Sequence, residues 1–277
     1  MYVPIGYDQD FDDLWMHLKS KFPEKLFDID GLGKQIDMMN FTNEFFSEDT
    51  TCVADVSIDA NANVDDNTVI SYNHELPKPF MKLNSYYMLW KEIKRLYDRV
   101  TADEIIEKQV AGDIYINDVH GIASGMPYCF NYSTYDIMTK GLPMIKKIKS
   151  IQPKYLYSFK SQVEQFTIIA ANSTLGATGL ADFLLVMSYY VEKMLETKTD
   201  AHFTFASEED CWRYVEENLR SFIYTINQPT RANQSCFTNL SIYDNYFLED
   251  LKKSYIFEGG KTLNAEIVKK LQEMFLR

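Results

Sequence analysis

The sequence is poor in the features that mark membrane, secreted and nucleic-acid-binding proteins. No apolar run approaches the roughly 20 residues that a membrane-spanning helix needs, and the first residues lack the basic and then apolar layout of a signal peptide. Basic residues are outnumbered, with 28 lysines and arginines against 40 acidic residues and a net charge of −12. General charge attraction to nucleic acid or anionic lipid is therefore excluded. We expect a soluble, cytoplasmic protein that contacts neither a membrane nor nucleic acid.

Cysteine and histidine are also scarce, and neither forms a familiar metal or catalytic pattern. The 4 cysteines, at positions 52, 129, 211 and 236, are widely separated and include no C-x-x-C pair, which argues against a zinc site and a disulfide framework. The 4 histidines lie far apart, and no G-x-G-x-x-G, G-x-S-x-G or H-E-x-x-H motif is present. We expect reduced thiols and no bound metal.

The residues that are present predict a globular chain of the α/β or α+β class in which helices dominate. Hydrophobic residues make up 46% of the 277 positions, enough for one large domain or two modest ones. β-Branched and aromatic segments predict short strands at residues 114–116 and 235–243. Apolar spacing predicts helices at residues 10–46 (in two pieces), 83–97, 102–110, 135–139, 153–171, 180–195, 208–226 and 265–275.

Among the cysteines, Cys129 is the strongest functional candidate from local sequence. It follows a glycine-bearing loop after the predicted strand at 114–116, a position where side chains are often aimed into clefts. The alternative is a small buried hydrophobic residue, the commoner fate of a free cysteine. Asn117 and Asp118, at the end of that strand, could cap a turn or bind a ligand. Cys236 lies between strand-forming residues and is expected to pack in the core.

Five segments occur in an order and spacing that together suggest a family. They are Val53–Asn63 (VADVSIDANAN), Gly112–Gly121 (GDIYINDVHG), Pro127–Ser133 (PYCFNYS), Asn172–Asp182 (NSTLGATGLAD) and Asn227–Asn239 (NQPTRANQSCFTN). The sequence, from about Asp28 to Arg277, resembles the front half of the catalytic domain of the anaerobic, glycyl-radical class of ribonucleoside-triphosphate reductase. This resemblance implies an α/β fold that is half of a ten-stranded glycyl-radical-enzyme barrel with flanking long helices. We then expect residues 1–110 to form a mainly helical N-terminal region and residues 111–277 the first half-barrel.

The resemblance implies radical-based reduction of ribonucleoside triphosphates to deoxyribonucleoside triphosphates, with Cys129 as the catalytic residue in this chain. A thiol has a weak S–H bond and can deliver a hydrogen atom to the face opposite the family's thiyl cysteine. That thiyl cysteine and the glycine radical that generates it belong to segments beyond the part matched here. Cys236 precedes the thiyl loop, so we do not give it that role. Formate or a dithiol is the expected reductant, and we expect this chain to bind no cofactor of its own.

The resemblance also implies nucleotide sites and protein partners. Asn117 and Asp118 are the expected substrate-side residues, although the family often has two histidines where this sequence has Tyr115 and Asn117. A deoxynucleoside triphosphate effector binds in the family between helices of two subunits, which implies a homodimer through the long helices. Gln162 and Gln165 are the expected effector contacts, and plain solvent-facing positions are the alternative for both. A radical-SAM enzyme is the expected activating partner.

Three functions are compatible with these observations. In the first, the chain is a portion of the reductase, inactive alone, and requires a complementary C-terminal chain that carries the thiyl cysteine and the glycyl radical. In the second, it is a non-catalytic nucleotide-binding remnant of the same family. In the third, it is a related glycyl radical enzyme that acts on a small acyl or amine substrate, because members of one fold differ in chemistry.

Overall fold

The described part of the N-terminal region is built from three helices, α1 (Gln9–Lys21), α2 (Lys78–Leu96) and α3 (Arg99–Ala111), with a short 3-10 turn at Pro23–Lys25. The structure is a computed structural model that describes residues 8–25, 78–117, 129–142, 150–228 and 235–277 and the single positions 39, 43, 119 and 230. The chain divides into two compact units, Met1–Met126 and Pro127–Arg277. The three helices belong to the first unit.

Local sequence fixes where these helices begin and end. The side chain of Asp8 accepts a hydrogen bond from the backbone N–H of Asp10 at the start of α1, and Asp98 accepts one from Thr101 at the start of α3. Such caps satisfy backbone donors that have no partner inside the helix. Gly112 ends α3 with a φ of 90°, a left-handed conformation that glycine adopts without steric cost.

The three helices pack around Trp90, which is fully buried together with Leu18 and Ile106. The indole N–H of Trp90 donates to Oδ1 of Asp103 at 2.7 Å, so the polar end of the ring is satisfied inside the core. His17 on α1 and Glu107 on α3 approach to 2.7 Å. Apolar packing and these polar contacts together fix α1 and α2 against α3.

The prediction of a strand at residues 114–116 is wrong. After Gly112 the chain bends and turns, and no strand is formed between residues 112 and 117. The backbone N–H of Ile116 donates to the side chain of Gln109 at 2.7 Å, so a side chain takes the donor that a neighbouring strand would have used. Of the second helix predicted within residues 10–46 only Met39 and Asn43 are described, and both are helical. The segment Val53–Asn63, Cys52 and Asp118 lie outside the described residues.

The second unit is a mixed α/β structure with a parallel sheet. The strands β1, β2 and β5 form this sheet in the order β1-β2-β5, and β3 pairs with β4 in a small antiparallel ribbon. Helices connect the parallel strands, as parallel pairing requires. The elements are β1 (Phe130–Asn131), α4 (Tyr135–Lys140), α5 (Leu156–Ala171), β2 (Thr178–Leu180), α6 (Phe183–Thr197), β3 (Thr199–Asp200), β4 (Phe203–Thr204), α7 (Glu208–Ile226), β5 (Thr238–Leu240), α8 (Asn245–Ser254) and α9 (Ala265–Phe275), with a 3-10 turn at Glu258–Gly260.

The register of the parallel sheet separates its two faces. Thr178 is aligned with Phe130 and Thr238, and Gly179 is aligned with Asn131 and Asn239. Because side chains alternate along a strand, the row of Thr178 and the row of Leu180 share one face. That face packs against the helices, since Thr178 and Leu180 are fully buried. The opposite face carries the row of Gly179.

The helices of the second unit enclose an aromatic core. Phe183 stacks on Phe222 with ring centroids 4.3 Å apart, and Phe159 stacks on Tyr190 at 4.8 Å. These rings come from α5, α6 and α7, so one stack joins three helices. Burial of each ring contributes roughly 1.5–3 kcal/mol, so these rings stabilise the packing of the three helices.

Most of the predicted helices are confirmed, and two strand boundaries need correction. The predicted strand 235–243 contains only the three residues of β5, and Leu180, predicted as the start of a helix, ends β2 instead. The α/β class with long helices is confirmed. The two compact units divide at residue 126, whereas the predicted assignment of residues 1–110 and 111–277 to a helical region and a half-barrel stays a prediction.

Candidate functional site

Cys129 lies immediately before β1, and its side chain is exposed. Its sulfur accepts a hydrogen bond from the backbone N–H of Ala177, with the two atoms 3.2 Å apart. The alternative of a buried hydrophobic residue is therefore wrong for Cys129. It does describe Cys236, which is fully buried as predicted, and Cys211, which is also fully buried. Burial raises the pKa of the Cys211 thiol. The higher pKa favours the protonated thiol, which is less reactive than the thiolate.

Two asparagines lie close to Cys129 on the sheet, and strand alternation assigns all three to one side of it. Asn131 follows Cys129 by two residues along the chain, and Asn239 lies in the same row two strands away. Gly179 lies between them, and a Cβ atom placed there would be 2.5 Å from Oδ1 of Asn131 and 2.7 Å from Oδ1 of Asn239. The two amide groups therefore converge over the glycine. Asn131 and Asn239 are both exposed, and Gly179 is buried beneath them. We call this side of the sheet, with Cys129, Asn131, Gly179 and Asn239, the open face.

A hydrogen-bonded carboxylate organises the end of the sheet where β1 and β2 finish. Asp182 accepts hydrogen bonds from the hydroxyl of Ser133, from the backbone N–H of Thr134 at 2.7 Å and from its hydroxyl at 2.8 Å. The hydroxyl of Tyr255 donates to the same carboxylate at 3.3 Å. Burial, and then the neighbouring negative charge of Asp182, raise the pKa of Tyr255. These bonds fix the chain where it leaves β1, directly after the segment that carries Cys129 and Asn131.

The predicted substrate-side residues lie in the first unit. Asn117 and Tyr115 are exposed in the turn after α3, and the Tyr115 hydroxyl donates to Oδ1 of Asn117 at 3.4 Å. Because no strand precedes Asn117, it does not occupy the strand end that the sequence suggested. Its role and that of Asp118, which lies outside the described residues, stay predictions.

The predicted effector-side residues lie on α5. Nε2 of Gln162 donates to the carbonyl oxygen of Ile151 at 3.0 Å, while its Oε1 is buried without a hydrogen-bond partner among the described residues. Gln165 is exposed. The same helix carries a buried Lys160, whose ammonium lies 3.1 Å from Glu164 and 3.1 Å from the hydroxyl of Ser221 on α7. Gln162 is therefore anchored to the preceding loop, and Gln165 is available to a ligand or to solvent.

The described residues contain no group of three or more histidine, cysteine, aspartate or glutamate side chains that could hold a metal ion. Within that same part of the chain, no helix is long and apolar enough to cross a membrane. The chemical groups on the open face are thus a thiol and two amides. A thiol can donate a hydrogen atom or act as a nucleophile, and an amide can both donate and accept hydrogen bonds.

Comparison with known protein families gives one match that covers most of the chain. The family described as anaerobic ribonucleoside-triphosphate reductase matches residues 75–274. The chain belongs to this family. The match contains β1 with Cys129, both other strands of the parallel sheet and the helices of the second unit, apart from the last residue of α9. No protein of curated function matches the sequence at a significant level.

Solved structures of anaerobic ribonucleotide reductases from Thermotoga maritima resemble this chain along its whole length. One with citrate in the active site is 32% identical with a TM-score of 0.74, and the match covers 99% of this chain and 46% of the reductase. One in complex with dATP and CTP is 31% identical with a TM-score of 0.71, covering 100% and 41%. One with dATP bound in the specificity site is 31% identical with a TM-score of 0.70, covering 100% and 42%. This chain spans less than half the length of those reductases.

Sequence reasoning assigned no role to Asn131 or Asn239, although each lies in a segment that carried the family resemblance. Cys129 and Asn131 are spaced by two, the period of a strand, which was the available sign that they share a face. The alignment of Asn239 with them depends on the register of three strands that are distant in sequence. No local pattern reveals such a register.

Proposed function

We propose that this chain supplies part of the catalytic domain of an anaerobic ribonucleoside-triphosphate reductase and that Cys129 is its catalytic residue. The observation that carries the proposal is the exposed thiol of Cys129 at the start of β1, on a sheet face with free amide groups. Parallel sheets are normally covered on both faces. In a reductase the uncovered face of this sheet is the wall against which the nucleotide binds.

The reaction replaces the 2′-hydroxyl of the ribose by hydrogen and releases water. It consumes two electrons and two protons. A dithiol supplies all of these on oxidation to a disulfide, whereas formate supplies two electrons and one proton on oxidation to carbon dioxide and the second proton comes from solvent. The contribution of Cys129 is to deliver the hydrogen atom of its S–H bond to the substrate. The sulfur radical that this leaves regains a hydrogen atom from formate or the dithiol, which restores the thiol. The hydrogen bond from Ala177 to the sulfur holds the thiol in place over β2, a form of positioning that lowers the cost of the step.

The proposal includes a requirement for the rest of the reductase. The thiyl cysteine and the glycyl radical are expected on a complementary C-terminal chain, which would complete a ten-stranded barrel of which this chain forms half. A radical-SAM enzyme would generate the glycyl radical. The open face supports this arrangement, because three short parallel strands with one uncovered face are not a self-sufficient sheet.

A nucleotide effector site is proposed on α5. The Thermotoga reductase binds dATP in its specificity site, and the corresponding contacts here are assigned to Gln162 and Gln165 in a homodimer that pairs the long helices. Oε1 of Gln162 is buried and has no hydrogen-bond partner among the described residues. Buried polar atoms normally have partners, and this supports a contact between Gln162 and a bound effector.

Anaerobic reconstitution tests the proposal. The chain is mixed with the complementary part of the reductase, the activating enzyme, S-adenosylmethionine, formate or a dithiol, CTP and dATP, and dCTP formation is measured. We expect dCTP from the mixture and none from the chain alone, and we expect Cys129→Ala to reduce the rate by at least about 1,000-fold, a loss typical of a catalytic group that acts as a unit with others.

Cys211→Ala is the matched control, because it removes a thiol on α7 that lies away from the open face. Binding of dATP to Cys129→Ala should be unchanged, which shows that the variant is folded. A mixture that binds dATP but reduces no CTP would instead identify the chain as a nucleotide-binding remnant. Turnover that survives Cys129→Ala would remove Cys129 from the mechanism.

A further inference from the structure

The open face carries two polar groups that the packing of the chain does not use. The amides of Asn131 and Asn239, which we call the amide pair, form no hydrogen bond to any described residue, although each has two donors and an acceptor. Elsewhere in the unit, asparagine side chains bind the backbone: Asn172 donates to Ile168, and Asn227 donates to Ile223. The amide pair is thus left available by the fold.

Gly179 lies between the two amides because a side chain has no room there, and not because its backbone conformation requires a glycine. Gly179 is not among the described glycines with positive φ, so any L-residue could adopt its backbone angles. A Cβ at this position would lie 2.5 and 2.7 Å from the two amide oxygens, well inside contact distance. Glycine in a strand interior weakens the strand and commonly marks a close approach. At Gly179 the close approach is that of the amide pair.

The amide pair and Cys129 are placed within reach of one small molecule. Successive residues on one face of a strand are about 6.6 Å apart, and next-but-one strands are about 9.6 Å apart. The Cys129 sulfur is held by Ala177, the residue two before Gly179 on β2. A sugar-sized ligand resting on the amide pair above Gly179 is therefore large enough to reach both amides and the thiol at once. Sites on strands hold such groups in fixed positions.

We propose that Asn131 and Asn239 are substrate-binding residues that hydrogen-bond the ribose hydroxyls of the ribonucleotide and present the sugar to the Cys129 thiol. A hydroxyl both donates and accepts, and a pair of amides offers the matching donors and acceptors on either side of it. Gly179 keeps the two amides close enough to hold one sugar. This inference rests on the proposed function and adds to it the residues that recognise the ribose.

The inference predicts that the amide pair distinguishes a ribonucleotide from a deoxyribonucleotide. A site built to bind a hydroxyl discriminates against the analogue that lacks it, because its own polar groups are then left unpaired. We expect Asn131→Ala and Asn239→Ala each to raise the KM for CTP about 10-fold, and the double variant about 100-fold, from the loss of one hydrogen bond each. The wild-type preference for CTP over dCTP, measured by equilibrium binding with saturating dATP, should fall about 10-fold in the variant that lacks the amide bound to the 2′-hydroxyl and in the double variant, because dCTP lacks only that hydroxyl.

Three further variants separate this role from a general effect on the fold. Gly179→Ala keeps both amides but pushes them apart, and we expect it to raise the KM for CTP to a similar extent. Asn131→Asp preserves size while removing the donors, and it should also raise the KM. Asn245→Ala, at an exposed asparagine in the first turn of α8, is the matched control and should leave the KM unchanged. Unchanged dATP affinity verifies folding in each variant.

The outcomes distinguish this inference from the proposed function. If the wild-type assembly reduces CTP while the double variant keeps a KM within 2-fold of it and the same preference over dCTP, the amide pair does not bind the ribose and this inference alone is overturned. If the wild-type assembly neither reduces CTP nor binds it, the proposed function is overturned and the inference with it. A selective loss of CTP binding supports both.

Discussion

Asp182 shows how a single side chain supports the site without touching a substrate. It receives hydrogen bonds from two backbone and three side-chain donors, at Ser133, Thr134, Tyr135 and Tyr255. The donors at Ser133, Thr134 and Tyr135 lie between the end of β1 and the start of α4, and Tyr255 follows α8, so one carboxylate joins the strand that carries Asn131 to two other elements. Hydrogen bonds to a charged acceptor are stronger than neutral ones.

We expect Asp182→Ala to lower the free energy of unfolding by about 3 kcal/mol, because it leaves several donors without an acceptor. Urea denaturation followed by circular dichroism measures the change. Asp136→Ala is the control: Asp136 lies in the first turn of α4, as Asp182 lies at the start of α6, but its side chain forms only an exposed ion pair with Lys140, which contributes about 0.5 kcal/mol or less. Equal losses in the two variants would show that Asp182 acts only as an ordinary helix-start charge.

Some residues of the candidate site could be predicted from the sequence, and others could not. The family resemblance selected Cys129, and the structure places its thiol in the open and Cys236 in the core. The expectation for Asn117 depended on a strand that does not form, since Gln109 takes the backbone donor of Ile116. Asn131 and Asn239 were out of reach because their shared row is a property of three-strand register.

Among the elements, the helices followed from sequence more closely than the strands. The bounds predicted for α7, 208–226, are those observed, because Ser207 and Asp210 form a reciprocal cap at its start and one face is continuously apolar. The segment that contains β2, rich in glycine and small residues, gave no strand pattern. Its pairing with β1 and β5 is non-local, and strand preference depends on such tertiary context.

The contact between α5 and α7 includes a buried charge. Lys160 is only 6% exposed, and its ammonium lies 3.1 Å from Glu164. We expect Lys160→Met to lower the free energy of unfolding by about 3 kcal/mol, because Glu164 would be left largely buried without its cation. The double variant Lys160→Met/Glu164→Leu should recover most of that loss, since replacing both partners of a buried pair by apolar groups is close to neutral.

Urea denaturation of these variants provides the measurement, and Lys140→Met is the control. Lys140 and Asp136 have the same i, i+4 spacing as Lys160 and Glu164, but both side chains are more than 60% exposed. The control should change the free energy of unfolding by about 0.5 kcal/mol or less. A double variant as unstable as Lys160→Met would mean that the loss comes from packing and not from the unpaired charge.

The same aromatic core that joins the helices makes the fold sensitive to alkali. Burial raises the pKa of Tyr190, whose hydroxyl donates to the carbonyl of Pro153 at 3.0 Å. An unfolded tyrosine titrates near pH 10, so the folded state binds this proton more tightly. The stabilisation is fully present below about pH 10 and is lost as the pH rises from there through the folded pKa.

We therefore expect the free energy of unfolding to fall above about pH 10, with a contribution from Tyr190 of up to about 1.4 kcal/mol per pH unit. Urea denaturation at a series of pH values measures the slope, and Tyr190→Phe should make it shallower. Tyr246→Phe, at a side chain that is 81% exposed, is the matched control. A slope that is the same in wild type and Tyr190→Phe would contradict the assignment of this effect to Tyr190.

At the scale of the whole molecule, the open face is the feature that connects fold to function. The second unit has an aromatic helical core on one side of its sheet, while Cys129 and the amide pair stand uncovered on the other. On the open face Cys129, Asn131 and Asn239 are exposed, whereas the residues of β2, including Gly179, are buried. The solved reductases of this family, of which the chain spans 41–46%, have additional chain that can cover such a face.

If the complementary part of the reductase covers the open face, its addition should slow two processes there and nowhere else in the second unit. Amide hydrogen exchange of β1, β2 and β5 should slow by at least about 10-fold, because exchange then requires opening of an additional interface. Alkylation of Cys129 by iodoacetamide should slow in parallel, since an exposed thiol reacts in proportion to its accessibility. Exchange in α8, which lies outside the parallel sheet, is the internal control. If the complementary part changes neither the exchange rates of the strands nor the alkylation rate of Cys129, the proposed barrel does not assemble on this face.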